Sequence, residues 1–447
     1  MAPENLTLLT DLYQLTMAQA YFREQQMGEA TFSLFIRSYP PNRGYFVSAG
    51  LTDVIEYLEG FAFDAKALDY LAAQKLFSDD FLHYLADLRF TGQVWAIPEG
   101  RIFFQDEPVL ELTAPIIQAQ IAETFIINQI HLQSLIASKA ARCVHAAGGR
   151  AVVDFALRRT HGTDAGMKVA RASYLTGFHG TSNVLAGLRY GIPIVGTMAH
   201  SFVSSFENEI DAFRAYVASF TNNAILLIDT YDTLIGARNA VQVAKEMVAR
   251  GQKLIGVRID SGDLAAQALA VRKIFDEAAL AEVKIIASGG LDEFDLAAMS
   301  ESNTPYDSYG VGTKMGTSAD APWTDISYKL VEYRARPMLK LSPGKISCPG
   351  KKQVFRHRDG QGYLQRDLIG LRDEEIGGER LLKEVMRNGK IMGPHPSLAE
   401  RRAIFEDEFA SLPQDVKAIR DPRRYEVDFT AKLKDLRDKT AKKIVRS

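Results

Sequence analysis

The chain has 447 residues, 47% hydrophobic and 24% charged, enough for two or three domains and a large core. Its formal net charge of −2 argues against nucleic acid or an anionic membrane surface as a partner. The only cysteines are Cys143 and Cys348, with no CxxC and no Cys/His cluster. That argues against a disulfide framework or a zinc site and fits a reducing compartment. "MAPENLTLLTDLYQ" lacks a basic segment followed by an apolar one, and no apolar run reaches about 18 residues, so a cytoplasmic location is expected.

To about residue 118, short helices mix with strand-like runs. "TDLYQLTMAQAYF" predicts a helix capped at Thr10, with Leu12, Leu15, Ala18, Tyr21 and Phe22 at helical spacing. "EATFSLFIR" and "QVWAIPEGRIFFQDEPVLELTAP" alternate like strands, the latter broken at Pro98-Glu99-Gly100 and Pro108. A long Ala-rich helix, "AETFIINQIHLQSLIASKAARCVHAAGG", should stop at Gly148-Gly149. Beyond it, apolar runs alternate with helical ones: "AVVDFA", "PIVGTMA", "AILLID", "KLIGVRID", "VKIIASGG" and "SYGVGTKM". Six βα units in series predict an α/β fold, an α/β barrel, complete or partial, with an open doubly wound sheet as the alternative. After "ISYKLVEY" and "RPMLKLSPGK" the tail reads as charged and mostly helical, with "HPSLAERRAIFEDEFASL" a surface helix and the Lys/Arg-rich end a solvated face. No solenoid repeat or low-complexity segment occurs.

In an α/β barrel the chemistry sits where strands end. Those ends carry Asp154 with Arg158 and Arg159, then Thr197 and His200, then Asp229 with Asp232. Arg258, Asp260, Ser261 and Asp263 follow, then Ser288, Gly289 and Gly290, and finally Gly310, Gly312, Thr313 and Lys314. Helix capping accounts for Asp263 or Ser182 taken alone. It does not account for arginines at two strand ends, repeated aspartates and glycine-rich turns on the last two strands. Together these predict a site for a highly anionic ligand. "SGG" and "GVGT" let backbone N–H groups approach a phosphate. Asp229, Asp260 and Asp263 are candidates for Mg²⁺, which takes one or two carboxylates together with ligand phosphates. Arg258 shares a strand face with Asp260, and its fork suits a carboxylate or phosphate, with a structural ion pair as the alternative. "GIPIVGTMAHSF" reads as a buried strand, Ile192 to Val195, that ends in Gly196 and Thr197 and then presents His200. Alone, that imidazole is as well read as a satisfied, partly buried histidine.

In combination the motifs carry more. From "LLTDLYQLTMAQAYF" through "RRTHGTDAG", "SYLTGFHGTSN", "GTMAHSF", "LLIDTYDT", "GVRIDSGDL", "IIASGGLDE" and "YGVGTKM" to "RPMLKLSPGK", the chain resembles the nicotinate phosphoribosyltransferase family over nearly its whole length. The resemblance implies a type II phosphoribosyltransferase: an N-terminal α/β domain (1–118), an irregular, incomplete α/β barrel (119–335) and a C-terminal extension (336–447). It implies that nicotinate and phosphoribosyl pyrophosphate, with ATP as co-substrate, give nicotinate mononucleotide and pyrophosphate. His200 would be the residue ATP phosphorylates, with Arg258 and Asp260 beside it in the catalytic set. Tyr13 would stack on the pyridine ring, although alone it reads as an amphipathic-helix aromatic. Thr197 would lie against nicotinate, and Arg258 would meet its carboxylate or the product phosphate. Ser288, Gly289, Gly290, Gly312 and Thr313 would hold the phosphoribosyl group, and Arg158 and Arg159 the pyrophosphate. A Mg²⁺-dependent homodimer without zinc is expected. Nicotinamide and quinolinate phosphoribosyltransferases, a non-catalytic phosphoribosyl pyrophosphate or nucleotide sensor, and a Schiff-base lyase using Lys314 are the rival readings.

Overall fold

The structure is a computed structural model that describes residues 5–342 and 347–446. The chain divides into two compact units, residues 1–135 with 323–447, and residues 136–322. The sequence pattern puts boundaries at 118/119 and 335/336 instead, and strand pairing explains the difference at the second. Ile326–Tyr333 pairs antiparallel with Glu29–Ile36, from Ala30 opposite Tyr333 to Ile36 opposite Ile326.

The first unit holds a seven-stranded sheet in the order Arg336–Pro337, Ile326–Tyr333, Glu29–Ile36, Leu110–Pro115, Gln93–Ala96, Lys383–Arg387 and Lys390–Ile391. Its buried face is apolar, with Phe32 stacked on Tyr328 at 4.7 Å. The tail is not mostly helical. Lys352–Arg358 and Leu364–Leu371 form an antiparallel hairpin at the centre of a four-stranded sheet. Charged residues are interleaved with apolar ones there, and Arg356 and Asp367 are themselves buried, which hides the period-two pattern. Leu398–Ser411 is also more than a surface helix, because Arg401, Phe405 and Glu408 are buried. The predicted helix at Leu12–Arg23 forms, but Asp11 occupies its N-cap position and the Thr10 hydroxyl donates instead to the Ile121 carbonyl (3.1 Å). Residues 343–345 of "RPMLKLSPGK" and the first four residues of the chain lie outside the described residues.

The second unit is built on six parallel strands in the order Gly180–Thr181, Ala151–Asp154, Ser308–Val311, Lys284–Ala287, Gly256–Ile259 and Ile225–Leu227. Apart from the second and third, each strand neighbours the next in sequence, and the last pairs with the first, Ser308 opposite Ala151. That cyclic order is a barrel's, left open between its second and third strands, and not the reversed order of a doubly wound sheet. The strand residues are mostly buried, and helices such as Thr233–Val248 and Leu264–Glu277 pack against the sheet. The long helix Glu123–Ala146 is followed by Gly148 and Gly149 at φ 59° and 85°. The strand expected at "PIVGTMA" is reduced to one bridge, Thr181 to Ile194. Pro193 has no N–H to give a ladder, and Ile194 is 60% exposed rather than buried.

Candidate active site

Three neighbouring strands of the half-barrel deliver the central polar group. Asp229 follows Ile225–Leu227, Asp260 follows Gly256–Ile259, and Ser288 follows Lys284–Ala287. The Asp260 backbone N–H and the Ser261 hydroxyl both donate to Asp229 Oδ2, at 2.9 and 2.6 Å. The Ser288 hydroxyl donates to Asp260 Oδ1. Asp229 Oδ1 is buried and takes no hydrogen bond.

His200 opens the short helix His200–Ser204. Its Nδ1 lies 3.1 Å from the Thr230 hydroxyl and its Nε2 4.0 Å from Asp260 Oδ2. The imidazole is 45% exposed, so it faces both the aspartates and the solvent. Arg258 donates through Nη2 to the Met198 carbonyl (2.9 Å), its carbon Cζ lies 5.9 Å from the Phe155 ring centre, and its buried Nε has no acceptor. Burial pulls the guanidinium below the usual arginine pKa and nearby Arg158 adds to this, while Asp260 and Asp229 oppose it. A guanidinium kept charged under those conditions is suited to an anionic ligand.

The glycine turns are shaped by close approach. Gly289 has φ +100°, and a Cβ there would lie 1.9 Å from the Asp260 carbonyl oxygen. Gly290, at φ +70°, faces open space. A Cβ on Gly312 would come within 3.0 Å of the Phe155 carbonyl oxygen, and Thr313 begins the turn Thr313–Gly316 beyond it. Arg158 and Arg159 lie exposed on the turn Leu157–Arg159. Thr197 is half-buried and lines a cavity with Met198, Phe202, Tyr216 and Phe220.

Other residues read from the sequence have different duties. Asp263 accepts from the Ala266 N–H (3.1 Å) and Asp232 from those of Leu234 and Ile235, so both cap helices. Asp154 is buried, accepting from the Ala156 N–H and the Thr181 hydroxyl at 2.8 and 2.7 Å, and burial raises its pKa. Lys314 pairs with Asp292 and Asp295 at 3.0 and 3.1 Å. Burial works to lower its pKa, but the two carboxylates hold it above the usual lysine value, the wrong state for Schiff-base chemistry. Tyr13 belongs to the first unit, half-exposed on Leu12–Arg23. Among the described residues, no group of three or more His, Cys, Asp or Glu side chains could hold a metal ion by itself. Thr230 and Phe155 are additions that no sequence motif singled out.

Three family models match the chain: the nicotinate phosphoribosyltransferase N-terminal domain over 8–131, the nicotinate phosphoribosyltransferase family over 151–343, and its C-terminal domain over 378–437. The chain is 49% identical over 415 residues to nicotinate phosphoribosyltransferase pncB2 of Mycobacterium tuberculosis, covering 93% of this chain and 89% of that one. It is 36% identical to the nicotinate phosphoribosyltransferase of Bacillus subtilis, over 96% and 93% of the two chains. The crystal structure of human nicotinic acid phosphoribosyltransferase superposes with a TM-score of 0.87 at 29% identity, covering 96% of this chain and 99% of that one.

Proposed function

The chain belongs to the nicotinate phosphoribosyltransferase family and is an enzyme of NAD salvage that transfers a phosphoribosyl group to nicotinate; we propose how its residues divide that work. The observation that carries the reading is His200 standing beside the hydrogen-bonded group Ser288–Asp260–Asp229 at adjacent strand ends. His200 accepts a phosphoryl group from ATP, which couples ATP hydrolysis to nucleotide formation. A neutral imidazole is a competent nucleophile near pH 7. In the transfer, the bond from ribose C1 to pyrophosphate breaks and a bond to the pyridine nitrogen forms, through an oxocarbenium-like state that depends on a stabilised leaving group.

Ser288, Gly289, Gly290, Gly312 and Thr313 hold the phosphoribosyl phosphate, and Arg158 and Arg159 the pyrophosphate. Arg258, with Nε unpaired, meets the nicotinate carboxylate or the product phosphate. Thr197 lies against nicotinate, and Tyr13, a residue of the first unit, takes the pyridine-stacking role that the family resemblance implies. Mg²⁺ fits Asp229 and Asp260, because the buried Oδ1 of Asp229 lacks a partner and Asp263 is engaged as a cap. When bound, the ion neutralises charge on the pyrophosphate. An apolar face on the helix Val184–Tyr190 supports a homodimer: Leu188 is 84% exposed, beside exposed Val184, Leu185 and Ile194. A cytoplasmic location accords with two free cysteines, and no helix among the described residues is long and apolar enough to cross a membrane.

The test is product formation from radiolabelled nicotinate and, separately, nicotinamide, with phosphoribosyl pyrophosphate and Mg²⁺, with and without ATP. The wild-type protein should convert nicotinate faster with ATP, and His200→Ala should lose that stimulation. Turnover of nicotinamide alone, or an ATP effect that survives in His200→Ala, would overturn the assignment.

A further inference from the structure

His200 is lightly held for a residue that must present one nitrogen to a phosphoryl donor. It begins a helix of five residues, nearly half of its side chain is exposed, and Asp260 Oδ2 stands 4.0 Å away, beyond hydrogen-bond reach. One contact fixes the ring: the Thr230 hydroxyl, 3.1 Å from Nδ1. Thr230 is itself anchored. It follows Asp229, whose Oδ2 is tied to the Asp260 N–H and the Ser261 hydroxyl, so the backbone carrying the hydroxyl is fixed to the next strand end.

We propose that Thr230 is the positioning residue of the phosphorylation half-reaction, orienting the His200 imidazole through Nδ1. This rests on the reading of His200 as the phosphoacceptor. In the tautomer whose Nδ1–H donates to the Thr230 oxygen, the lone pair is on Nε2, on the side of Asp260. Nε2 attacks the γ-phosphorus of a nucleoside triphosphate, and the bond from that phosphorus to the bridging oxygen breaks. The diphosphate leaves with the electron pair, and Nδ1 keeps its proton. Without the hydroxyl, the ring samples other rotamers, and the reactive arrangement is less populated. The phosphoribosyl transfer needs no such orientation of the imidazole.

Thr230→Val keeps the shape and removes the hydroxyl, while Thr230→Ser keeps the hydroxyl. Each full-length variant would be compared with wild type for acid-labile radiolabel taken up from γ-labelled ATP and for the ratio of ATP-stimulated to ATP-independent turnover. A lost orienting hydrogen bond corresponds to about a tenfold effect. Thr230→Val should therefore label about ten times more slowly, and the turnover ratio should fall with it. Thr230→Ser should recover most of both, and circular dichroism should match wild type for both variants. Wild-type labelling in Thr230→Val, or equal loss of both modes of turnover, would overturn the proposal. Absence of label in wild type itself would instead remove the phosphohistidine reading on which it stands.

Discussion

Asp229 has two oxygens in different situations. Oδ2 receives two donors, while Oδ1 is buried without any. An unsatisfied buried acceptor costs about 1–3 kcal/mol, a cost a fold retains where a ligand or cation will repay it. Asp229→Asn keeps an acceptor for the Asp260 N–H and the Ser261 hydroxyl but turns an amide toward the place of the missing partner. The expected result is a thermal midpoint close to wild type and a Mg²⁺ requirement raised about tenfold or more, a loss of about 1.4 kcal/mol or more. A Mg²⁺ titration of the transfer reaction measures it, and an unchanged requirement would separate Asp229 from the metal. At this scale the sequence was legible wherever polar residues closed an apolar run, as Asp229, Arg258, Asp260 and Ser288 do. Thr230 was not, because its role depends on a contact with a histidine 30 residues earlier that only the packing of two strand ends creates. Phe155 was hidden for a similar reason, since a core aromatic and a ring beneath a guanidinium look alike in sequence.

The turn after Lys284–Ala287 joins two glycines with different reasons to be glycine. Gly289 lies against the Asp260 carbonyl, where a methyl group would overlap backbone and could not be relieved by a side-chain rotation. Gly290 has space around it and only its positive φ to satisfy. Gly289→Ala should therefore displace the two strand ends and abolish activity with a clear loss of thermal stability. Gly290→Ala should cost only about 1–2 kcal/mol of backbone strain, yet raise KM for phosphoribosyl pyrophosphate by narrowing the open side of the turn. Thermal denaturation beside KM measurements distinguishes the two, and equal stability losses would contradict this division. Strands of this kind were legible because parallel strands buried on both faces read as continuous apolar runs bounded by glycine or proline. The segment at Ile192–Val195 has the composition of such a strand but not its donors, so an apolar run became a single bridge. The tail failed in the opposite sense. In "KQVFRHR" and "LQRDLIGL" charged residues lie on the buried side as well, because Arg356 and Asp367 pair inside the unit.

That pair belongs to a network that ties distant parts of the chain together. In the first unit, Arg356 meets Asp367 and Glu408, Glu408 receives Arg101, and Arg101 also holds Glu379 at 2.7 Å. Arg101 lies 307 positions from Glu408 and 278 from Glu379, so no local pattern reveals that the two ends of the chain build one unit. Glu107 lies fully buried beside this network, with Oε2 accepting the Phe104 N–H (2.8 Å) and Oε1 without a donor. Burial raises its pKa well above the usual glutamate range, the negative charge of Asp367 adds to the rise, and Arg356 opposes it. Burial beside the Asp367 charge therefore favours the protonated form of Glu107 in the fold relative to the unfolded chain. In the unfolded chain Glu107 ionises near about 4.3. Its contribution to stability is complete below that value and is lost as pH rises towards the folded value, at about 1.4 kcal/mol per pH unit for one proton. Glu107→Gln keeps an acceptor for the Phe104 N–H and puts a group that does not titrate in the same place. Urea unfolding midpoints followed by the fluorescence of Trp95 and Trp323, both in this unit, should decline with pH from 4.5 upward in the wild type, and the variant should show a slope smaller by that one-proton increment. Identical slopes would mean that Glu107 titrates alike in the folded and unfolded chains and that burial does not hold its proton.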